Sequence, residues 1–363
     1  MPAKKPILTT AAAIMPPPVP PGHGVLTVGL DIGYGATKAV IPDREPIVFP
    51  SVYGRAHDLN EFERTSISQK ADYTGEQLID DEGEWLVGRL AQSQLKAAEQ
   101  LVLRGRSANE SDDNAARVRL AKVAIGKLLS GTHNGEAIHV RIATGLPVDH
   151  MGGAAELKTA LIGLHHIQTD AADFVANIVE VIVMPQPYGT LYSQQLTKTG
   201  DYDLCFTATR AAVIDVGTFT IDAALDQDGE YIGAESGSVE GGVHLAQTRL
   251  ISTINRDYKD TASLAEADDI LRTRCIRVKG KVKNVSIQVE EALQPIREST
   301  IALMQRLWQN ARRIDVIYIT GGGASDVQPT VLAAGYSQAV LVDDPQTANA
   351  RGYLQYALLM DKS

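Results

Sequence analysis

The chain has 363 residues, 44% hydrophobic and 21% charged, with a net charge of −10. This is enough for one large or two ordinary globular domains, and disorder of the whole is excluded by composition. The acidic balance argues against broad electrostatic binding to nucleic acid or anionic membranes; the two distant cysteines, Cys205 and Cys275, are too sparse for a disulfide framework or a zinc site.

The first 24 residues carry two lysines and a short apolar stretch that is broken by Thr9 and Thr10 and runs into PPPVPP. They read as a flexible proline-rich arm, not as a signal peptide. No later segment has the roughly 18 consecutive apolar residues of a membrane span, and the cysteines read as reduced thiols of a cytoplasmic protein. From residue 25, VLTVGLDIG predicts a strand, GATKAVIP its hairpin partner and PIVFPSVYG a third strand. Residues 55–85 are polar and weakly patterned, an insertion of loops and short strands. Residues 112–130 predict a helix with Val118 or Ala121, Ile125 and Leu128 on one face. AIHVRIATGLPVD predicts a strand ending in a glycine turn, AELKTALIGL a helix, and NIVEVIVMPQPYGTLYSQQL a buried strand, a Pro/Gly loop and a helix start.

A second round follows. AAVIDVGTFTIDAAL reads as strand, turn and strand, and GGVHLAQTRLISTINRDY as a helix. Residues 286–313 predict a long helix with Val289, Leu293, Ile296, Met304 and Leu307 on one stripe and a kink at Pro295. IDVIYITGGGASDV gives strand, glycine turn and helix start, and QAVLVDDPQTANARGYLQYALLM a last strand and helix. Hairpin, strand, helix, strand, helix thus occurs twice, an internal duplication of an α/β architecture. Two lobes leave a cleft between them for a ligand.

The turns carry the chemistry. Gly33 and Gly35 in the first hairpin and Gly217 in the second permit positive φ and close backbone approach. Such turns gather N–H groups into a concavity that binds phosphate oxygens, and Thr218, Thr220 and Lys38 add donors. Asp31 and Asp215 precede these turns. A carboxylate aimed at a triphosphate repels it unless hydrated Mg²⁺ lies between, held by few carboxylates. In YITGGGASDV, Gly321, Gly322 and Gly323 expose backbone to a base, ribose or phosphate. Neither GxGxxG nor GxxxxGK[ST] occurs, so a dinucleotide fold is not indicated and a P-loop is excluded.

DIGYGATK resembles the first phosphate motif of the actin–Hsp70–sugar kinase superfamily, IDVGTFTID the second and YITGGGAS its adenosine motif, with ATGLPVD and PQPYGTLY as connecting segments. The closing VDDPQTANARGYLQYA and ATGLPV are similar to bacterial actin-like ATPases of the ParM plasmid-segregation type. The resemblance implies an actin-like, ribonuclease H-like duplicated α/β fold with a nucleotide cleft between two lobes. The arm would span 1–24, lobe I 25–205 with the terminal 340–363 returning to it, and lobe II 206–339. It implies that Asp31 and Asp215 organise Mg²⁺ through water. Gly33, Tyr34, Gly35 and Lys38 would contact phosphates from one lobe, Gly217, Thr218 and Thr220 from the other, and Gly321–Gly323 the adenosine. Gln186 stands where relatives position the attacking water. Asp222 is a possible brace of the second hairpin. Tyr34 departs from relatives with a small hydroxyl residue there; its ring would crowd the γ-phosphate or lie over the site.

The activity so implied is ATP (or GTP) hydrolysis coupled to filament assembly. The partners would be other copies of the chain and a DNA-binding adaptor, with no direct nucleic-acid contact and no membrane. The alternatives within the superfamily are a small-molecule kinase, for which no general base stands out, and a nucleotide-gated cytoskeletal scaffold. His165 and His166 lack a third ligand at metal spacing, His244 reads as a cap or surface residue, and the basic run 272–283 reads as a solvated face.

Overall fold

The computed structural model describes residues 24–56, 70–103, 110–132, 137–259 and 262–362. The expected arm (Gly24 apart) and part of the polar insertion lie outside these.

In chain order the first half opens with β1 (Val25–Ile32) and β2 (Ala36–Val40), an antiparallel hairpin that sets Asp31 opposite Lys38. Next come β3 (Ile47–Pro50) and β4 (Val52–Arg55), where the sequence predicts one strand. The break is Ser51. Its hydroxyl donates to the Gly33 carbonyl at 2.6 Å and its N–H to the Gly35 carbonyl at 3.1 Å, so the chain is tied to the first turn and leaves in a new direction. β5 (Gln77–Asp80), β6 (Gly83–Val87), α1 (Gly88–Gln94) and β7 (Leu101–Val102) fill the insertion. Then follow α2 (Glu110–Leu128), β8 (Ile138–Leu146), α3 (Ala154–Leu161), β9 (Gly163–Thr169), β10 (Asp173–Pro185) and α4 (Gln186–Gln195).

The second half has β11 (Arg210–Val216), β12 (Thr220–Gln227), β13 (Glu230–Tyr231), β14 (Gly237–Glu240), α5 (Val243–Tyr258), α6 (Leu264–Thr273), β15 (Cys275–Val278), β16 (Lys281–Asn284) and α7 (Ser286–Leu307). It closes with β17 (Val316–Thr320), α8 (Ala324–Ala333), β18 (Ala339–Leu341) and α9 (Ala348–Met360).

The duplication appears strand for strand. One sheet contains the run β3-β2-β1-β8-β10; the other contains β18-β17-β11-β12, with β14 on β12. In each, an antiparallel hairpin is followed by two parallel neighbours. The central strands are buried on both faces, which explains their continuous apolar runs: Ala211 to Val216 are all buried, as are Thr27 to Ile32. Each buried Ile, Leu or Val contributes about 1.5–3 kcal/mol.

Helix α9 returns to the first sheet and crosses α4 at glycines. A Cβ on Gly352 would lie 1.6 Å from the Gly189 carbonyl oxygen, and one on Gly29 of β1 would lie 2.0 Å from that of Ala350. The backbones are in direct contact at these points.

Four local readings need correction. No loop separates β10 from α4: the helix begins at Gln186, with Pro187 accommodated in its first turn. Gly145 lies inside β8, not in a turn; a Cβ there would sit 2.0 Å from the Tyr353 hydroxyl. Helix α7 stops at Leu307 because Trp308 turns inward and donates from Nε1 to the Glu235 carbonyl at 2.9 Å. Gly163 begins β9, a strand that the helical reading of AELKTALIGL overran. Helix α6, with a capping box at Ser263 and Glu266, was also not apparent, and part of the basic run forms the β15–β16 hairpin.

Candidate functional site

The two hairpin turns close in the same way. Gly33 N–H donates to the Ala36 carbonyl at 3.1 Å, and Gly217 N–H to that of Thr220 at 2.9 Å. None of Gly33, Gly35 and Gly217 adopts positive φ, so their value is closeness and not left-handed backbone. A Cβ on Gly35 would be 2.2 Å from Thr218 Oγ1: the turns touch across the lobes. The second turn also caps a helix. Its carbonyls at Gly217 and Thr218 accept from the Val243 and His244 N–H groups at the start of α5, at 2.9 and 2.8 Å.

Tyr34 lies between the turns. Its ring meets Phe219 edge to face, with centroids 5.3 Å apart, and Phe219 packs on His244 at 4.6 Å. The Tyr34 hydroxyl is 3.3 Å from His150 Nδ1, and the buried Arg117 guanidinium, which donates to the Ile32 carbonyl at 3.2 Å, lies 6.0 Å from the ring.

Below the turns three carboxylates, Asp31, Asp215 and Asp222, are each only 2% exposed. Lys38 Nζ is 2.8 Å from Asp31 Oδ2, and Gln186 Nε2 approaches Asp31 Oδ1 at 3.5 Å. Asn349 Nδ2 donates to Asp215 Oδ2 at 2.7 Å; its own Oδ1 accepts from the Thr190 N–H and hydroxyl at 3.0 and 2.7 Å. Asp222 accepts from the Thr220 hydroxyl at 2.7 Å, from Ser238, and from the Val148 N–H across the cleft at 3.1 Å. Thr220 is thereby engaged with Asp222, and Asp222 braces its hairpin and also ties the lobes together.

Burial pushes Asp215 up to about 7, helped by the charges of Asp222 and Asp31 and opposed by Asn349 and Lys38. Burial also raises Asp222, against the bonds from Ser238, Thr220 and Val148. Negative charge is therefore crowded where solvent is excluded, and a cation would relieve it. Among the described residues no group of three His, Cys, Asp or Glu side chains is placed to hold a metal directly. The pair Asp31 and Asp215 fits a strongly hydrated ion reached through water.

The third turn meets the same point. Gly321 has φ 89°, and a Cβ there would lie 2.3 Å from Asp215 Oδ1. Gly323 N–H donates to the Val216 carbonyl at 3.0 Å, while Gly322 faces open space. Beside this turn lies a cavity of 450 Å³, lined by Arg274, Glu290, Arg297, Ser325 and Asp326 among others. A roomier cavity of 790 Å³ lies at the other end of this lobe, around Trp308 and Tyr336, with none of the turn residues or carboxylates in it. Convergent charge, not volume, marks the site.

Thus Asp31, Lys38, Gln186, Asp215 and the three glycine turns are brought together as the sequence suggested. Asn349, Thr190, Arg117 and Val148 belong to the same constellation and were not apparent. His165 and His166 stand apart, bonded to the Leu161 carbonyl and to Asp173, each at 2.7 Å.

Residues 29–189 match the family described as "Actin like proteins N terminal domain", and residues 213–332 match "Archaeal actin homologue MreB-like, C-terminal". Among solved structures the chain is similar to a non-polymerisable quadruple mutant of a ParM, at 21% identity and TM-score 0.73, covering 92% of this chain and 99% of that one. It is similar to a 15-stranded ParM filament from Clostridium botulinum at 22% identity and TM-score 0.72, covering 92% and 98%. An archaeal actin homolog in complex with ADP matches at 19% identity and TM-score 0.71, covering 93% and 100%. No curated protein matches the sequence significantly. These likenesses establish the actin-like fold.

Proposed function

We propose that this chain, which belongs to the actin-like proteins, binds ATP (or GTP) with Mg²⁺ between its lobes, hydrolyses it and assembles into filaments that segregate plasmid DNA through a DNA-binding adaptor. The lobes would be 25–205 with 340–363, and 206–339, with 1–24 as an arm. The observation that carries this reading is the buried carboxylate cluster enclosed by three glycine turns, with Asp215 pushed up to about 7. A site of that kind is matched to a cation and a polyanion together.

Gly33, Tyr34, Gly35 and Lys38 would contact the phosphates from one side, Gly217, Thr218 and Thr220 from the other, and Gly321, Gly322 and Gly323 the nucleoside. Phosphate oxygens reaching Lys38 would draw its ammonium from Asp31, 2.8 Å away, and free that carboxylate for the metal. Mg²⁺, when bound through water by Asp31 and Asp215, neutralises phosphate charge. Gln186 would orient the water whose oxygen bonds to the terminal phosphorus as the bond to the leaving diphosphate breaks; an amide positions this water without taking its proton.

Right-angle light scattering and phosphate release on adding Mg-ATP test the proposal beside an Asp215→Ala control. A prompt rise that later decays, with phosphate released and neither signal in the control, is expected. Tight ATP binding with a flat trace and no phosphate would refute it.

A further inference from the structure

A groove of 610 Å³ lies where the segment joining the two halves of the chain passes α4 and the start of β17. Its floor is apolar and aromatic. Phe206 and Ala208 come from the segment and Val316 and Tyr318 from one face of β17, all half-buried. The alternate residues of β17, Ile317 and Ile319, face the other way and are fully buried. The floor is continuous with the stacked rings of Tyr192 and Tyr356, whose centroids are 4.5 Å apart. Among the described residues, no group bonds to the Tyr318 hydroxyl.

The chain itself contains a segment suited to this floor. Residues 1–23 precede the first described residue, Gly24, and include PPPVPP at 16–21. Consecutive prolines pre-set the polyproline II helix, which has three residues per turn and leaves its carbonyls without internal partners. Pro17 and Pro20 would then share one edge, and Pro18 and Pro21 the next. Helices of this kind dock in aromatic-lined grooves at little cost in ordering. Phe206 and Tyr318 offer the rings, and the Tyr318 hydroxyl offers a donor for a proline carbonyl.

The root of the arm lies within reach. Strand β1 starts at Val25 and sets Thr27 opposite Arg141 of β8. Arg141 is paired with Asp361 at the end of α9, and the next residue, Lys362, reaches Asp201 at 2.6 Å. Asp201 is close in sequence to Asp203, on the rim of the groove. One strand spacing and two ion pairs therefore connect the root to the rim. In polyproline II conformation residues 16–24 cover about 28 Å, enough to follow that path. Charge does not select the occupant, because Lys362 neutralises Asp201 and Lys198 stands in the same segment. Shape and apolar chemistry do.

We infer that the proline segment 16–21 of the chain's own N-terminal arm docks in this groove, with its rings on Phe206 and Tyr318 and a carbonyl accepting from the Tyr318 hydroxyl. The docked arm passes from β1 of the first sheet to β17 of the second and straps the joint between them. The contact needs neither nucleotide nor a filament, and so stands apart from the reading above.

Cys205 lines the groove and is exposed. The test is disulfide trapping in the full chain, dilute and under a mild oxidant, with Cys275→Ser and either Val19→Cys or Gly22→Cys. Beside it runs the same chain with Pro17, Pro18, Pro20 and Pro21 each changed to Gly. A docked arm should close the disulfide to Cys205 within one chain about tenfold faster than its glycine counterpart, which discards the pre-set helix. An arm that is merely tethered closes at least as fast with glycine, because it is more flexible, and that result overturns the inference. Disulfides that join two chains at the same dilution also overturn it, since the groove then belongs to another copy. Hydrogen exchange of the native chain is the second readout. Amides of residues 205–208 should exchange about tenfold more slowly than in the chain with the glycine arm. Equal exchange overturns the inference.

Discussion

Replacing Asp215 by Asn tests whether negative charge is forced into the site. The substitution keeps an acceptor for Asn349, 2.7 Å away, and removes the ionisable group. Burial beside Asp222 and Asp31 moves this carboxyl from an ordinary value of 3.8 to about 7. One pH unit of displacement is about 1.4 kcal/mol, so ionising it in place costs up to ~4 kcal/mol; entry of water and movement of Lys38 reduce this to ~2 kcal/mol. The sign follows from the direction. A group raised in the folded state contributes stability that is complete below 3.8 and is lost as pH climbs through about 7. Asn loses nothing over that window. In EDTA at pH 8 the Asp215→Asn protein should therefore melt higher than the native chain, by roughly 3 °C, and the gap should close by about pH 4. Circular dichroism melts at several pH values measure this. A variant that melts lower by the same margin at every pH would refute the crowding argument. Added Mg-ATP should raise the native melting temperature and leave the variant's almost unmoved.

Gly352→Ala should destabilise by at least about 3 kcal/mol, read in denaturant melts, since its Cβ meets the Gly189 carbonyl at 1.6 Å and both backbones are fixed in helices. Gly322→Ala has nothing within 4 Å and should leave the melt within about 1 kcal/mol while weakening nucleotide binding about tenfold by calorimetry. Gln186→Ala should slow phosphate release about a hundredfold with nucleotide affinity nearly unchanged if, as proposed, this amide beside Asp31 orients the attacking water. Arg119→Ala should cost about 2–4 kcal/mol in thermal melts: it removes the guanidinium 3.9 Å from the Trp85 ring and leaves Asp80, 2.8 Å away, without its buried partner.

What the sequence made legible was what repeats or is confined to a few neighbouring residues. The buried runs before Asp31 and Asp215 and the glycines after them announce two equivalent hairpins, and their strand order agrees. What was hidden depends on contacts far apart in the chain. Asn349 is 134 residues from Asp215, and Val148 is 74 from Asp222. Pro187 and Gly189 read locally as a loop, yet they open a helix because tertiary packing on α9 needs a side chain absent at Gly189. Ser51 splits an apolar run through two hydrogen bonds to a turn 16 to 18 residues earlier, for which the run itself gives no sign.

The carboxylates have a second job that bears on how a ligand would move the lobes. Asp215 stands on the second sheet, yet its partner Asn349 opens α9, a helix packed on the first. Asp222, also on the second sheet, takes the Val148 N–H from the turn that follows β8 of the first. Both of these bonds cross between the lobes and end on groups that a cation would attract, and Tyr34 against Phe219 is a further contact between the glycine turns themselves. A ligand placed there cannot be neutral toward lobe angle: it competes with Asn349 for Asp215 and with Phe219 for Tyr34. A change in ligand charge, such as loss of the terminal phosphate, would be felt first at the bonds that set the angle, because differential affinity for two arrangements is what shifts their populations. Asp215 is therefore the residue at which the chemistry of the proposed ligand and the lobe geometry would meet.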